Sequence, residues 1–379
     1  MKKAGLVFGS LLVSLLVVEV FLRLLNYDPN THPFWRYHPG LGWVIKEDAH
    51  FDRVNPTGFR HTPVEVSKPK DTKRVVILGD SFTLATSLEY SKTFPGVLEY
   101  LLAETGNWEV IALAVDDWGW AQQLIALENY GLEYAPDIVV SQLFPLNDFC
   151  NNCLATANTC SMQDEQRPYF VLRGTKLEQT SLHPWRKVFR DRFRLAALAE
   201  NLLDDPWAKA RRISGEISDA PDLAAFFEHN SRANGLRYPD AIQSLLPPEY
   251  QQQELKDCWR IGEEILARIA STTAEREIAY LAAVIPFLYT FEERWSKLRE
   301  LSTAPIDPLY ASTETERILA KLEVPVIPIR AKIEMSGVPS EQYFISLTDG
   351  HLSEFGHFRL AQWVYEEIVK IQGAVSVSQ

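Results

Sequence analysis

Val75-Val76-Ile77-Leu78-Gly79-Asp80-Ser81 is the stretch that decides the fold. Four consecutive apolar residues, three of them β-branched, describe a strand covered on both faces, as in a parallel sheet. A helix follows: Thr93 caps it, Pro95 suits its first turn, and Phe94, Val97, Leu98, Leu101 and Leu102 recur along one face until Gly106 stops it. Val110 to Val115 reads as a second strand, about 121 to 134 as a helix, and Asp137 to Leu143 as a third strand. This alternation means right-handed βαβ units and a parallel sheet.

The alternation breaks beyond Cys150. Helical patterns at Leu195–Leu203 and Trp259–Ile269 are separated by polar turns, and Pro168–Leu172 with Lys176-Leu177 flank a hairpin turn at Arg173-Gly174. Strand patterns return at Tyr280–Pro286 and Val324–Pro328. A closing helix carries Leu360, Val364, Ile368 and Ile371 on one face. The expected organisation is an N-terminal anchor or signal (1–26), a connector packed on the core (27–70), one core in two parts (71–150 and 275–379) and a capping, mostly helical insertion (151–274). Five parallel strands are expected in the core.

The 379 residues include 38 basic and 50 acidic side chains, a formal charge of −12. That balance, with no basic patch, excludes nucleic acid as a partner. Lys2 and Lys3 precede an uncharged run from Ala4 to Val18, continued by Glu19 and Val20-Phe21-Leu22. As a helix, Ala4 to Leu22 spans roughly 28 Å, close to a hydrocarbon core. No convincing Ala-x-Ala site follows, so the reading is a retained anchor ahead of a cleaved signal, and either means export. The positive end stays in the cytoplasm, which puts the rest in the periplasm or its equivalent. Cys150, Cys153, Cys160 and Cys258 fit an oxidising compartment, with connectivity left open.

Ligands bind at the carboxyl ends of the strands in an open parallel sheet. Ser81 follows strand one, the Asp116–Trp120 turn follows strand two, Asn147-Asp148 follow strand three, and Asp349-Gly350-His351 precede the closing helix. Taken alone, Ser81 is as well explained as a helix cap and Asn147 as a turn residue. Trp118 and Trp120 either stack on a sugar face or pack under the insertion.

Three blocks give these residues a common meaning. Gly79-Asp80-Ser81-Phe82-Thr83, then Gln142-Leu143-Phe144-Pro145-Leu146-Asn147-Asp148, then Asp349-Gly350-His351-Leu352-Ser353-Glu354-Phe355-Gly356-His357 resemble, in order and placement, the blocks of the SGNH, or GDSL-type, hydrolases. The resemblance implies a flavodoxin-like three-layer α/β/α sandwich. It makes Ser81 the nucleophile, His351 its base and Asp349 the partner that orients and stabilises the imidazole. The Ser81 backbone N–H and the Asn147 amide become oxyanion donors. A third donor normally comes from a glycine after strand two. Here Asp117 stands at that position and Gly119 two residues later, so the donor is one or the other. Pro145 replaces another family glycine, and Asp and His are two apart where many members have three, with Thr348 at the alternative position.

Asp80 and Asp148 are expected to anchor their loops by hydrogen bonds, and His357, following Gly356 at the start of the closing helix, to be structural rather than catalytic. The resemblance implies a serine esterase; together with the N-terminal anchor, it gives a membrane-tethered enzyme acting on O-acyl, foremost O-acetyl, esters of envelope or exported carbohydrate, or transferring the acyl group to an acceptor hydroxyl. Lipid or lysophospholipid esters are the alternative substrates. A non-catalytic binding protein in polysaccharide assembly is the rival reading. No cofactor motif is present in the sequence, and zinc at Cys150-x-x-Cys153, which lacks a matching Cys-x-x-Cys or paired histidine, is the weaker alternative to a disulfide or free thiols.

Overall fold

The computed structural model describes residues 2–28, 32–156, 166–203, 245–251, 253–291, 307–346 and 349–377. In chain order the helices are α1 (Lys2–Leu24), α2 (Ser81–Leu84), α3 (Phe94–Ala103), α4 (Trp120–Asn129), α5 (Pro145–Asn152), α6 (Pro184–Arg192), α7 (Arg194–Leu203), α8 (Gln253–Ala274), α9 (Tyr310–Lys321), α10 (Ile329–Met335) and α11 (Glu354–Val377). The strands are β1 (Trp35–His38), β2 (Gly42–Ile45), β3 (Lys73–Gly79), β4 (Trp108–Ala114), β5 (Ile138–Leu143), β6 (Pro168–Arg173), β7 (Lys176–Ser181), β8 (Ala279–Val284) and β9 (Val326–Ile327).

Five strands form one parallel sheet in the order β4-β3-β5-β8-β9. Counted along the sheet's own strands this is 2-1-3-4-5, the flavodoxin-like order, whose switch point lies between β3 and β5. The period of two decides the layers. Val76, Leu78, Ile111, Leu113 and Val139 face one side and pack with α4, α8 and α9 through Leu124, Ile265, Ile269 and Ile318. Val75, Ile77, Val110 and Val140 face the other and meet α3, α10 and α11 through Leu98, Ile333, Leu360 and Val364. Thr93 caps α3 as the sequence predicts, its Oγ1 accepting the Gly96 N–H at 3.3 Å.

Two elements are shorter than the sequence suggests. The last strand keeps only Val326–Ile327, because Pro325 and Pro328 bracket it and neither can donate to a ladder. Helix α4 stops at Asn129, and a 3₁₀ turn at Gly131–Tyr134 finishes the segment.

The segment 27–70 contributes the antiparallel β1–β2 hairpin, and its Leu41, Trp43, Val44, Ile45 and Phe59 are buried in the same core as the sheet. The hairpin expected around Arg173-Gly174 is β6–β7. Cys153, just beyond α5, is bonded to Cys258 on α8, which ties the insertion to the loop after β5. Cys160 lies outside the described residues. Helix α1 has a 20-residue stretch, Gly5–Leu24, long and apolar enough to cross a membrane. Among its described residues only Glu19 and Leu22 are buried against the rest of the chain. An apolar N-terminal helix together with a disulfide points to export.

Candidate active site

The tight exit from β3 sets the first element of the site. A Cβ on Gly79 would lie 2.2 Å from Thr83 Oγ1 and 2.8 Å from Gln142 Oε1, so only glycine lets the chain turn this closely. Gln142 Oε1 accepts from the Asp80 N–H (3.2 Å) and from Thr83 Oγ1 (2.9 Å), pinning the turn to β5. Asp80 is fully buried and its Oδ1 accepts the Phe82 N–H at 2.9 Å, capping α2. Ser81 thereby stands at the carboxyl edge of the sheet, beside the switch point. Its backbone N–H has no acceptor among the described residues.

The second element arrives from the other end of the chain. Phe344 and Leu352 bridge, Ile345 N–H donates to the His351 carbonyl (2.8 Å), and Ser346 Oγ accepts the Asp349 N–H (2.8 Å). This closed loop sets Asp349 Oδ1 against both the His351 N–H (3.1 Å) and His351 Nδ1 (2.6 Å). The short Asp-x-His spacing is therefore satisfied by one carboxylate oxygen serving backbone and ring together. Thr348 lies outside the described residues. On its far side, His351 Nε2 is 2.8 Å from Ser81 Oγ. With Nδ1–H donating to Asp349, Nε2 is the acceptor for the serine hydroxyl.

Burial pulls the His351 pKa down, but the hydrogen bond and charge of Asp349, with the charges of Asp116 and Asp80, outweigh it, and the net shift is upward. The hydrogen bond from His351 holds Asp349 below the usual carboxylate range. The ring of Phe82 lies 4.9 Å from the imidazole and that of Phe144 lies 4.5 Å from Phe82.

Asn147 lies in the first turn of α5, at the end of β5, and its Oδ1 is buried without a hydrogen-bond partner among the described residues. Behind it Asp148 is fully buried, accepting from the Phe144 N–H (2.6 Å) and Trp120 Nε1 (2.8 Å). Burial and the neighbouring Asp80 both raise its pKa. These contacts are the loop-anchoring ones expected of Asp80 and Asp148. His357 is buried, and its Nδ1 accepts the Phe94 N–H at 3.1 Å, joining α11 to α3. Burial depresses it to about 3, so the ring is a neutral strut.

The turn after β4 is built differently from a glycine turn. Asp117 holds φ +62°, the left-handed region where glycine costs least and Asp is better tolerated than most residues. Its carboxylate is turned to the buried Arg167, Oδ2 accepting from Nη2 at 2.8 Å, and its Oδ1 accepts Asn151 Nδ2 at 3.0 Å. Arg167 Nη1 also donates to the Asp117 carbonyl (2.7 Å) and to Gln122 Oε1 (2.8 Å). The Asp117 carboxylate is thus tied to a guanidinium. The Gly119 N–H, the other sequence-level donor, is directed at Gln122 Oε1 (3.3 Å) as the cap of α4.

The two tryptophans of this turn are fully buried, which removes them as sugar-stacking faces. Trp118 donates to the Trp43 carbonyl (3.3 Å), and Trp120 lies where a Cβ on Gly262 of α8 would touch it at 2.7 Å.

Two residues of the site were not singled out by the sequence. Asp116 has a pKa raised by burial to about 6, and its charge acts on His351. Its carbonyl accepts Trp43 Nε1 at 3.0 Å. Arg167 precedes the β6 hairpin, 50 residues from its partner Asp117. An Asp-Asp pair closing an apolar strand is the one signal that marks Asp116. Nothing local marks Arg167. Among the described residues no group of three or more His, Cys, Asp or Glu is arranged to hold a metal.

No protein-family model and no curated protein matches the chain. Solved structures do align with it. TesA is 14% identical over 78% of this chain and 97% of its own, with a TM-score of 0.38. The acetyl xylan esterase AlAXEase is 10% identical over 78% and 99%, with a TM-score of 0.39. A GDSL-like lipase from Bacteroides thetaiotaomicron is 12% identical over 81% and 93%, with a TM-score of 0.37. The chain itself has an α/β fold in which helices flank a five-stranded parallel sheet, the arrangement of the SGNH hydrolases that its three sequence blocks resemble.

Proposed function

We propose that the protein is an exported serine esterase whose nucleophile is Ser81. One observation carries this reading: Ser81 Oγ, His351 and Asp349 form a continuous hydrogen-bonded chain of 2.8 and 2.6 Å, built from residues 270 apart in sequence. A helix-capping serine needs no imidazole, and an imidazole held by a carboxylate on its other nitrogen is poised to take a proton.

In this mechanism Ser81 Oγ attacks the ester carbonyl carbon while its proton passes to His351 Nε2. Asp349 stabilises the resulting imidazolium. The tetrahedral oxyanion is met by the Ser81 N–H and the Asn147 side-chain amide, with the Asp117 backbone N–H as the third donor. That assignment takes Asp117 over Gly119, whose N–H is already spent on Gln122. The C–O bond breaks as His351 returns the proton to the leaving alkoxide, giving an alcohol and an acyl-Ser81. Water, or an acceptor hydroxyl in a transferase, then attacks the acyl carbon by the same route.

For the substrate we propose O-acetyl esters of envelope or exported carbohydrate. The side chains of His351 and Asp349 remain 46% and 45% exposed, which suits a bulky substrate. Activated esters of increasing acyl length test this. Acetate should be the best substrate of wild type, and Ser81→Ala should be inactive on all. A preference for long acyl chains would move the assignment to lipid esters, and no turnover of any ester would move it to a binding protein.

A further inference from the structure

Helix α6 is amphipathic the wrong way round for a soluble protein. Trp185, Val188, Phe189 and Phe193, spaced along one face, are between 41% and 64% exposed. The opposite face, which is polar, is turned inward onto β1. Arg190 is buried with its guanidinium 5.0 Å above the Tyr37 ring, and the Tyr37 hydroxyl donates to Asp191. Lys187 Nζ donates to the Pro39 carbonyl. A helix of a soluble domain buries its apolar side and wets its polar one. This one exposes its apolar side and buries Arg190.

The position of α6 explains the inversion. The carboxylate of Glu19, on the last turns of α1, accepts the backbone N–H groups of Arg194 (3.1 Å) and Leu195 (2.8 Å), the first residues of α7. Arg23, ion-paired to Glu19 at 2.7 Å, donates from Nη2 to the carbonyl of Arg192, the final residue of α6. These bonds fasten the outer end of the apolar α1 to the junction of α6 and α7. The apolar face of α6 is therefore carried at the point where α1 joins the folded domain. Arg186, whose guanidinium lies 5.4 Å from the Trp185 ring, and the exposed Arg192 flank that face with positive charge. Aromatic and basic residues around an apolar stripe are the composition that seeks the headgroup region of a bilayer with anionic lipids.

We propose that α6 lies in the interfacial plane of the same membrane that α1 spans, with Trp185, Val188, Phe189 and Phe193 among the acyl chains. The proposal rests on reading α1 as a span and is independent of the chemistry at Ser81. It gives the folded domain a fixed attitude on the bilayer rather than a swinging tether. The support is continuous to the site, because the β1–β2 hairpin gripped by α6 at Tyr37 also carries Trp43, whose indole holds the Asp116 carbonyl.

The test uses the full chain reconstituted into phosphatidylcholine–phosphatidylglycerol vesicles whose acyl chains carry bromine, a contact quencher of tryptophan. Wild type, Trp185→Phe and Phe189→Asp are compared for quenching and for resistance to alkaline extraction. All three should remain with the vesicles. Wild type should show a quenched component that is lost in Trp185→Phe and strongly reduced in Phe189→Asp. Retention with equal quenching in wild type and Trp185→Phe would overturn the placement of α6 while leaving the span standing; this is also the outcome if another part of the chain or a second copy covers the face. Release of the wild type at alkaline pH would overturn the span and the proposal with it.

Discussion

Arg167 holds Asp117 at two points, Nη1 on the backbone carbonyl at 2.7 Å and Nη2 on the carboxylate at 2.8 Å. This clamp fixes a left-handed residue in the turn after β4 and ties its carboxylate to a guanidinium. Arg167→Met should free both. The buried pair loses one partner, so stability should fall by about 3 kcal/mol in denaturant unfolding. At temperatures where the variant is folded, kcat should fall by about a hundredfold with little change in KM, since a misplaced donor weakens the transition state. Arg167→Lys should recover little, because a lysine cannot make both bonds in that geometry.

The pH dependence follows from the direction of the His351 shift. The imidazole must be neutral to act as base, and its pKa lies above the ordinary 6.5. Activity should therefore rise with pH through a limb above that value. Asp349→Asn removes the hydrogen bond and charge that raise it, so the limb should move to lower pH while kcat drops by about 10³- to 10⁴-fold. Asp116→Asn removes a more distant charge and should move the same limb downward with kcat on the plateau nearly unchanged. Profiles of kcat/KM against pH distinguish the two.

Asn147→Ala should cost about 10² to 10³ in kcat if its amide serves the oxyanion. Labelling of Ser81 by a fluorophosphonate should persist but slow, because the serine–histidine bond is untouched. A structural role alone would instead lower the melting temperature and leave kcat per folded molecule intact.

Cys153→Ser should destabilise the protein by about 4 kcal/mol on the chain-entropy view, since the bond closes a separation of 105 residues. Thermal unfolding with and without reductant measures this. A reduced wild type should approach the variant.

The sheet was legible because buried parallel strands announce themselves as unbroken apolar runs, and Val75–Leu78 and Val110–Val115 are such runs. The blocks at Ser81, Asn147 and Asp349/His351 were legible because each follows such a strand or precedes the closing helix. Other features depend on which surfaces meet in three dimensions. Arg167 finds Asp117 only because the insertion folds back over the β4 turn. Trp118 and Trp120 sit in a polar turn by sequence, yet the β1–β2 hairpin and α8 cover them completely. The Cys153–Cys258 pairing and the Glu19 cap of α7 likewise join distant segments whose local patterns carry no trace of one another.

The central claim is that Ser81 is a nucleophile activated by His351. The most direct measurement is intact-mass and peptide mapping of the protein after a fluorophosphonate probe. The account predicts one adduct, on Ser81, absent in Ser81→Ala and largely lost in His351→Ala. A folded wild-type protein, with the Cys153–Cys258 bond intact, that takes no adduct at Ser81 would contradict it.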